Sequence, residues 1–145
     1  MLNSPEWNIS LFSFLLSFVW EIQQMPFYRI SPTLSCFDMN RNCTLATVGD
    51  VGISLVSFWV VAALLNSRRW VRQPSRWQVN VFILVGVLIT IAFEALATQS
   101  LGIWSYADSM PSVPILGTGL LPLLMWLVIP PVTLWLVKRQ LRAAN

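Results

Sequence analysis

Histidine is missing from all 145 residues. That removes both an imidazole ligand and an imidazole base. A His-built zinc site, a Ser-His-Asp triad and a His-ligated haem are therefore excluded. Cysteine is nearly missing, and Cys36 and Cys43 alone are too few for a thiolate zinc site. Charge is scarce too: 10% of the residues are charged, against about 25% in soluble domains. No glycine-rich phosphate loop of a familiar pattern is present. With metal-ligand clusters and phosphate loops both lacking, no cofactor and no metal is expected.

What the chain does have is apolar surface. It is 56% hydrophobic, its mean hydropathy is +0.66, and it carries eight Trp. Such a chain is solvated mainly by lipid, and Trp is favoured at membrane interfaces. The length fits one domain, residues 1–145. Four stretches approach or meet the roughly 20 apolar residues that a span needs: 9–28, 48–65, 79–101 and 116–137. Lipid satisfies no backbone groups, so runs of this length predict helices. The expected fold class is an all-α membrane protein, a bundle of four transmembrane helices. The first stretch has no Lys or Arg before it and no A-x-A site after it. It is expected to stay as an uncleaved span. No internal repeat is evident.

The arginines orient the bundle. Arg68, Arg69, Arg72 and Arg76 lie between the second and third stretches, and Lys138, Arg139 and Arg142 follow the fourth. Only Arg29 and Arg41 fall on the other side. The side richer in Lys and Arg is cytoplasmic, so both termini are expected there, in a bacterial inner membrane. The basic pI then reflects topology and contact with membrane lipids, and no nucleic-acid partner is expected. Cys36 and Cys43 fall in the first non-cytoplasmic loop, read as 29–47. The compartment is oxidising and the spacing permits a disulfide without requiring one. Two independent thiols are the other reading.

Three of the six acidic residues sit in or at the edge of the spans. Glu21 lies in the outer half of the first span, Asp50 near the outer end of the second, and Glu94 past the middle of the third. All three therefore converge on the outer leaflet. Acidic groups at such depth face the protein interior or water. Helical spacing extends each into a polar stripe: Glu21, Gln24 and Tyr28; Asp50, Ser54 and Ser57; Thr90, Glu94 and Thr98. Trp126 and the prolines Pro122, Pro130 and Pro131 on the fourth span would close the bundle. Proline frees backbone carbonyls there.

The chemistry that follows is a pocket of carboxyl groups, Glu21, Asp50 and Glu94, able to divide acid and base roles. Gln24, Tyr28, Trp104, Tyr106 and Trp126 are the expected ligand contacts. The ligand would be a hydrophobic, isoprenoid or lipid-like molecule. Alkene protonation, cyclisation, hydration or double-bond migration would suit it. The other reading makes the polar residues helix-to-helix hydrogen bonds in a non-catalytic accessory or assembly protein. A small transporter is the third, and four helices would then require a homo-oligomer. Asp50 follows Gly49 and also fits a helix start. Trp104 and Tyr106 also fit interface anchors. The segment Met110, Pro111, Pro114 and Gly117-Thr118-Gly119 reads as a rigid stretch before the fourth span.

Several segments resemble a family of small bacterial four-helix integral membrane proteins. They are Trp20-Glu21 with Gln24, Pro26 and Tyr28; Cys43 followed by Gly49-Asp50; Glu94 followed by Gly102, Trp104 and Tyr106; and the segment from Met110 to Leu121. The family pattern places a His before the Cys, where this chain has Asn42. The resemblance implies the four-helix fold and no particular activity. Glu94, Trp104 and Tyr106 are also similar to an element of membrane carotenoid cyclases and hydratases, which carry an acidic helix residue ahead of Trp-x-Tyr.

Overall fold

The structure, a computed structural model, describes residues 3–29, 31, 33–114 and 117–143. Helix α1 spans Pro5–Gln24. Ser4 caps it by accepting the Trp7 amide, and Pro5 fits the first turn, where no amide is needed. Pro26 lacks the N–H that another α-turn would require. The chain leaves through a single 3-10 turn, Met25–Phe27.

Helix α2 spans Cys36–Leu64, 29 residues. It starts well before the expected residue 48, so most of the polar loop expected at 29–47 is helix. The reason is local. Residues 36–47 hold no Pro or Gly, and Ser35 both accepts the Asp38 amide and donates to the Asp38 carboxylate at 2.6 Å. A polar sequence without breakers and with a good cap remains helical. At about 1.5 Å per residue α2 exceeds the roughly 30 Å hydrocarbon thickness, which leaves its polar first turns free to project beyond the lipid. Cys36 and Cys43 are both free. Seven residues apart on one helix, they are about 10 Å apart along the axis, beyond the reach of a disulfide. The disulfide reading is thereby corrected.

After Leu65 the chain turns at Asn66, with φ of +49°, and forms a 3-10 turn, Arg68–Arg72, that buries Trp70 and Val71. Helix α3 spans Arg76–Ala95 and continues as a π-helical turn, Leu96–Ser100. The Gln78 side chain closes its start by accepting the Ser75 amide at 2.8 Å. A minimal antiparallel hairpin follows, β1 (Ser112–Val113) with β2 (Thr118–Gly119), in the register Ser112 to Gly119 and Val113 to Thr118. Helix α4 runs from Leu120 to Ala143, straight through Pro130 and Pro131. Residue 116, the expected start of the fourth span, lies outside the described residues.

The class is all-α, as expected. The segments Cys36–Leu64, Arg76–Ser100 and Leu120–Ala143 are each long and apolar enough to cross a membrane. The four helices close into a ring, α1 against α2, α2 against α3, α3 against α4 and α4 against α1. Its interior is divided. One end packs an apolar cluster of Ile9, Phe58, Val61, Trp70, Val71, Phe82, Leu134, Val137 and Leu141. Toward the other end the buried residues turn polar: Ser13, Ser17, Thr47, Ser54, Thr90 and Glu94. Outward-facing residues such as Leu15, Val19, Leu84, Leu88 and Trp135 are apolar and exposed. In lipid those side chains gain nothing from burial, so packing and internal hydrogen bonds hold the helices together.

A carboxylate cluster as the candidate functional site

The site is built around Glu94 on α3. The helix widens into its π-turn just after this residue, a distortion that recurs at functional sites. Gly102 then reverses the chain with φ of +58°, a left-handed conformation that favours glycine. The Leu101 and Ile103 amides return to the Leu96 and Ala97 carbonyls, each at 2.9 Å. This turn swings the next residues back over Glu94. Tyr106 donates its hydroxyl to Glu94 Oε2, and Trp104 Nε1 reaches the same oxygen at a long 3.4 Å.

The same segment is stitched to the end of α1. The Ala107 amide donates to Phe27 O and the Arg29 amide to Ser105 O, both at 2.9 Å. Tyr28 and Tyr106 pair across this bridge with ring centroids 5.6 Å apart. The Tyr106 ring lies over Gly119, where a Cβ would come within 3.1 Å of it. Burial first, then donation to Glu94, keeps the Tyr106 phenol above its ordinary pKa. It is therefore a proton-bearing donor at neutral pH.

Glu21 comes from α1, where Gln24 Nε2 donates to its Oε1 at 2.5 Å and Trp20 Nε1 donates to Gln24 at 3.1 Å. Asp50 comes from α2 and lies beside Ser17 of α1. Among the described residues its Oδ2, shut off from solvent, has no hydrogen-bond partner. Glu21 and Glu94 lie within electrostatic range of each other, and Asp50 within range of both. Tyr28 feels all three, and Cys43 sits within range of Glu21. Among the described residues no Lys or Arg pairs with any of the three; Arg29 is spent on the exposed Asp108 at 2.7 Å. No group of three or more His, Cys, Asp or Glu among the described residues is disposed to hold a metal ion.

The structure thus brings together Glu21, Gln24, Tyr28, Asp50, Glu94, Trp104 and Tyr106, from three helices and two connecting segments. Trp126 stands apart. It is buried against Gly86 of α3, about 12 Å along the axis from Glu94. Thr98 turns back to the Glu94 carbonyl at 2.7 Å. Two grooves of about 440 and 420 Å³ open at the arginine-rich end. Sequence reasoning missed Ser17. Its signal was there: Ser13, Ser17 and Glu21 repeat every four residues on one face of α1. Ser13, Ser57, Thr90, Trp126 and Thr133 each bury a polar atom that has no partner among the described residues. Together they extend the polar interior from the carboxylates toward the apolar cluster.

No protein-family model, curated protein or solved structure matches the chain.

Proposed function

We propose that this chain is a four-span protein of the bacterial cytoplasmic membrane, with both termini inside, whose carboxylate cluster binds a hydrophobic, isoprenoid- or lipid-like molecule for non-redox acid–base chemistry. The topology draws support from charge. Arg68 pairs with Glu6 at the start of α1, and the Arg68–Arg72 turn packs against α4, with Val71 and Leu141 in one apolar cluster. Seven of the nine Lys and Arg therefore gather at one end of the bundle. The α1 helix, 20 residues long, spans about 30 Å. It shows lipid an apolar face of Leu11, Leu15 and Val19 while Ser13 and Ser17 face inward.

One observation carries the functional reading: three carboxyl groups from three helices lie within electrostatic range of one another, and among the described residues none has a compensating cation and one keeps a buried oxygen unpartnered. Burying charge or an unpaired acceptor is costly, and acidic groups at membrane depth mark functional sites by default. A Glu94 carboxyl held by the Tyr106 hydroxyl is placed to give or take a proton, with Glu21 or Asp50 as the second group. The apolar cluster closes the opposite end of the interior, which favours a blind site over a transport path. The competing reading, hydrogen bonds that merely fix the helices, rests on the internal partners of Glu21, Asp50 and Glu94.

Two substitutions at one position separate the readings. If Glu94 serves ligand chemistry, Glu94→Gln leaves the thermal unfolding midpoint near wild type and abolishes retention or conversion of the co-purified molecule. If Glu94 is only a helix contact, Glu94→Gln behaves as wild type in both respects, and only Glu94→Leu unfolds early.

A further inference from the structure

At the opposite end of the bundle, two adjoining grooves share Ser67, Arg69 and Arg72. One is lined by the start of α1, with Ser4, Glu6 and Arg68 beside them. The other adds Trp70 and Gln78. The chemistry of this lining is lopsided. Its one carboxylate and the Gln78 amide are committed. Glu6 takes Arg68 at 2.8 Å and the Ser4 hydroxyl at 2.8 Å, and the Gln78 oxygen takes the Ser75 amide. Among the described residues Arg69 and Arg72 have no ion-pair partner. Trp70 is 6% exposed, and among the described residues its buried Nε1 has no hydrogen-bond partner. Arginine and the indole N–H only donate. The N-terminal turn of α1 adds a partial positive charge.

A cleft with two unpaired guanidinium forks, its one carboxylate already paired with Arg68, fits an oxyanion, and bidentate arginine suits phosphate above all. We infer that this cleft is a phosphate site, formed by Arg69, Arg72 and Trp70 beside the start of α1, that holds the phosphate of an anionic lipid headgroup or a free phosphate compound. Exposed Trp77 on the first turn of α3 and Trp135 on α4, the latter beneath the Arg139 guanidinium at 4.8 Å, place this end at an interface level where lipid headgroups would lie. Trp70 is held for the task by Phe58 and Phe82, with ring centroids 5.7 and 6.1 Å away.

Native mass spectrometry of the full chain in detergent tests this with dioctanoyl phosphatidylglycerol, dioctanoylglycerol of the same chains without phosphate, and inorganic phosphate as competitor. The expected result is retention of phosphatidylglycerol over dioctanoylglycerol. Arg69→Gln/Arg72→Gln weakens it by roughly tenfold or more, the loss expected for charge-assisted hydrogen bonds. Trp70→Phe, which keeps the packing, weakens it less, and Arg142→Gln leaves it unchanged. Displacement of the lipid by millimolar inorganic phosphate would assign the site to soluble phosphates, and failure to displace it would assign it to the headgroup. Equal retention of both lipids overturns the inference. So does unchanged binding in the folded double variant or, should that variant not fold, in Arg69→Gln alone.

Discussion

At the scale of single residues, the cluster separates groups whose hydrogen bonds are complete from those whose bonds are not. Glu94 has the Tyr106 hydroxyl and a distant indole, Glu21 has Gln24, and Asp50 lies beside Ser17 with no partner for its Oδ2 among the described residues. A buried acceptor left short costs about 1–3 kcal/mol, so Asp50 Oδ2 is where a ligand donor would be most welcome. The convergence of the three acids was legible from span direction and depth. Ser17 was legible only as part of the Ser13, Ser17 and Glu21 repeat, because a Ser in an apolar run looks like filler until its partner helix is known. Glu6 supplies a residue-scale test, since it lies ahead of the apolar run. Burial alone would raise its pKa, but its own backbone amide, Ser4 and Arg68 outweigh that and hold it below 4.5. A depressed folded pKa adds stability above the unfolded value and loses it as pH falls through the folded one. Thermal unfolding should therefore show wild type ahead of Glu6→Gln at neutral pH and level with it well below pH 4.5. The gap should stay under about 1 kcal/mol, because the Arg68 side chain is 72% exposed and screened.

At the scale of elements, the helices were legible where hydropathy speaks and misread where it is silent. The apolar cores of α2, α3 and α4 announced themselves. The first three turns of α2 did not, since capping by Ser35 leaves no mark on a hydropathy profile. The π-turn after Glu94 was also invisible: no periodicity encodes it, and it depends on Gly102 reversing the chain. Contact between α3 and α4 rests on a small-into-large fit, Gly86 beneath the Trp126 ring. A Cβ at Gly86 would run into that ring, so Gly86→Ala should destabilise the bundle by about 1–3 kcal/mol despite the better helix propensity of Ala. A denaturant titration measures this, and Trp126→Phe in the same chain should recover part of the loss.

At the scale of the whole molecule, the bundle has two unlike ends. The end with the termini carries the arginines and the apolar cluster; the other carries the carboxylates and the free thiol of Cys36. Cys36 is exposed and Cys43 buried, which turns orientation into a labelling experiment. A membrane-impermeant maleimide applied to spheroplasts should modify Cys36 rapidly in wild type and in Cys43→Ser, with no added reductant. Labelling only after the membrane is opened would place the carboxylates on the cytoplasmic side.

The proposed function has the carboxylates serve a hydrophobic ligand, and mass spectrometry of the small molecules that co-purify with the chain tests this. One discrete apolar compound, near one per chain, is expected in wild type and absent from Glu94→Gln. Bulk phospholipid alone, in the same proportions from both proteins, would contradict it.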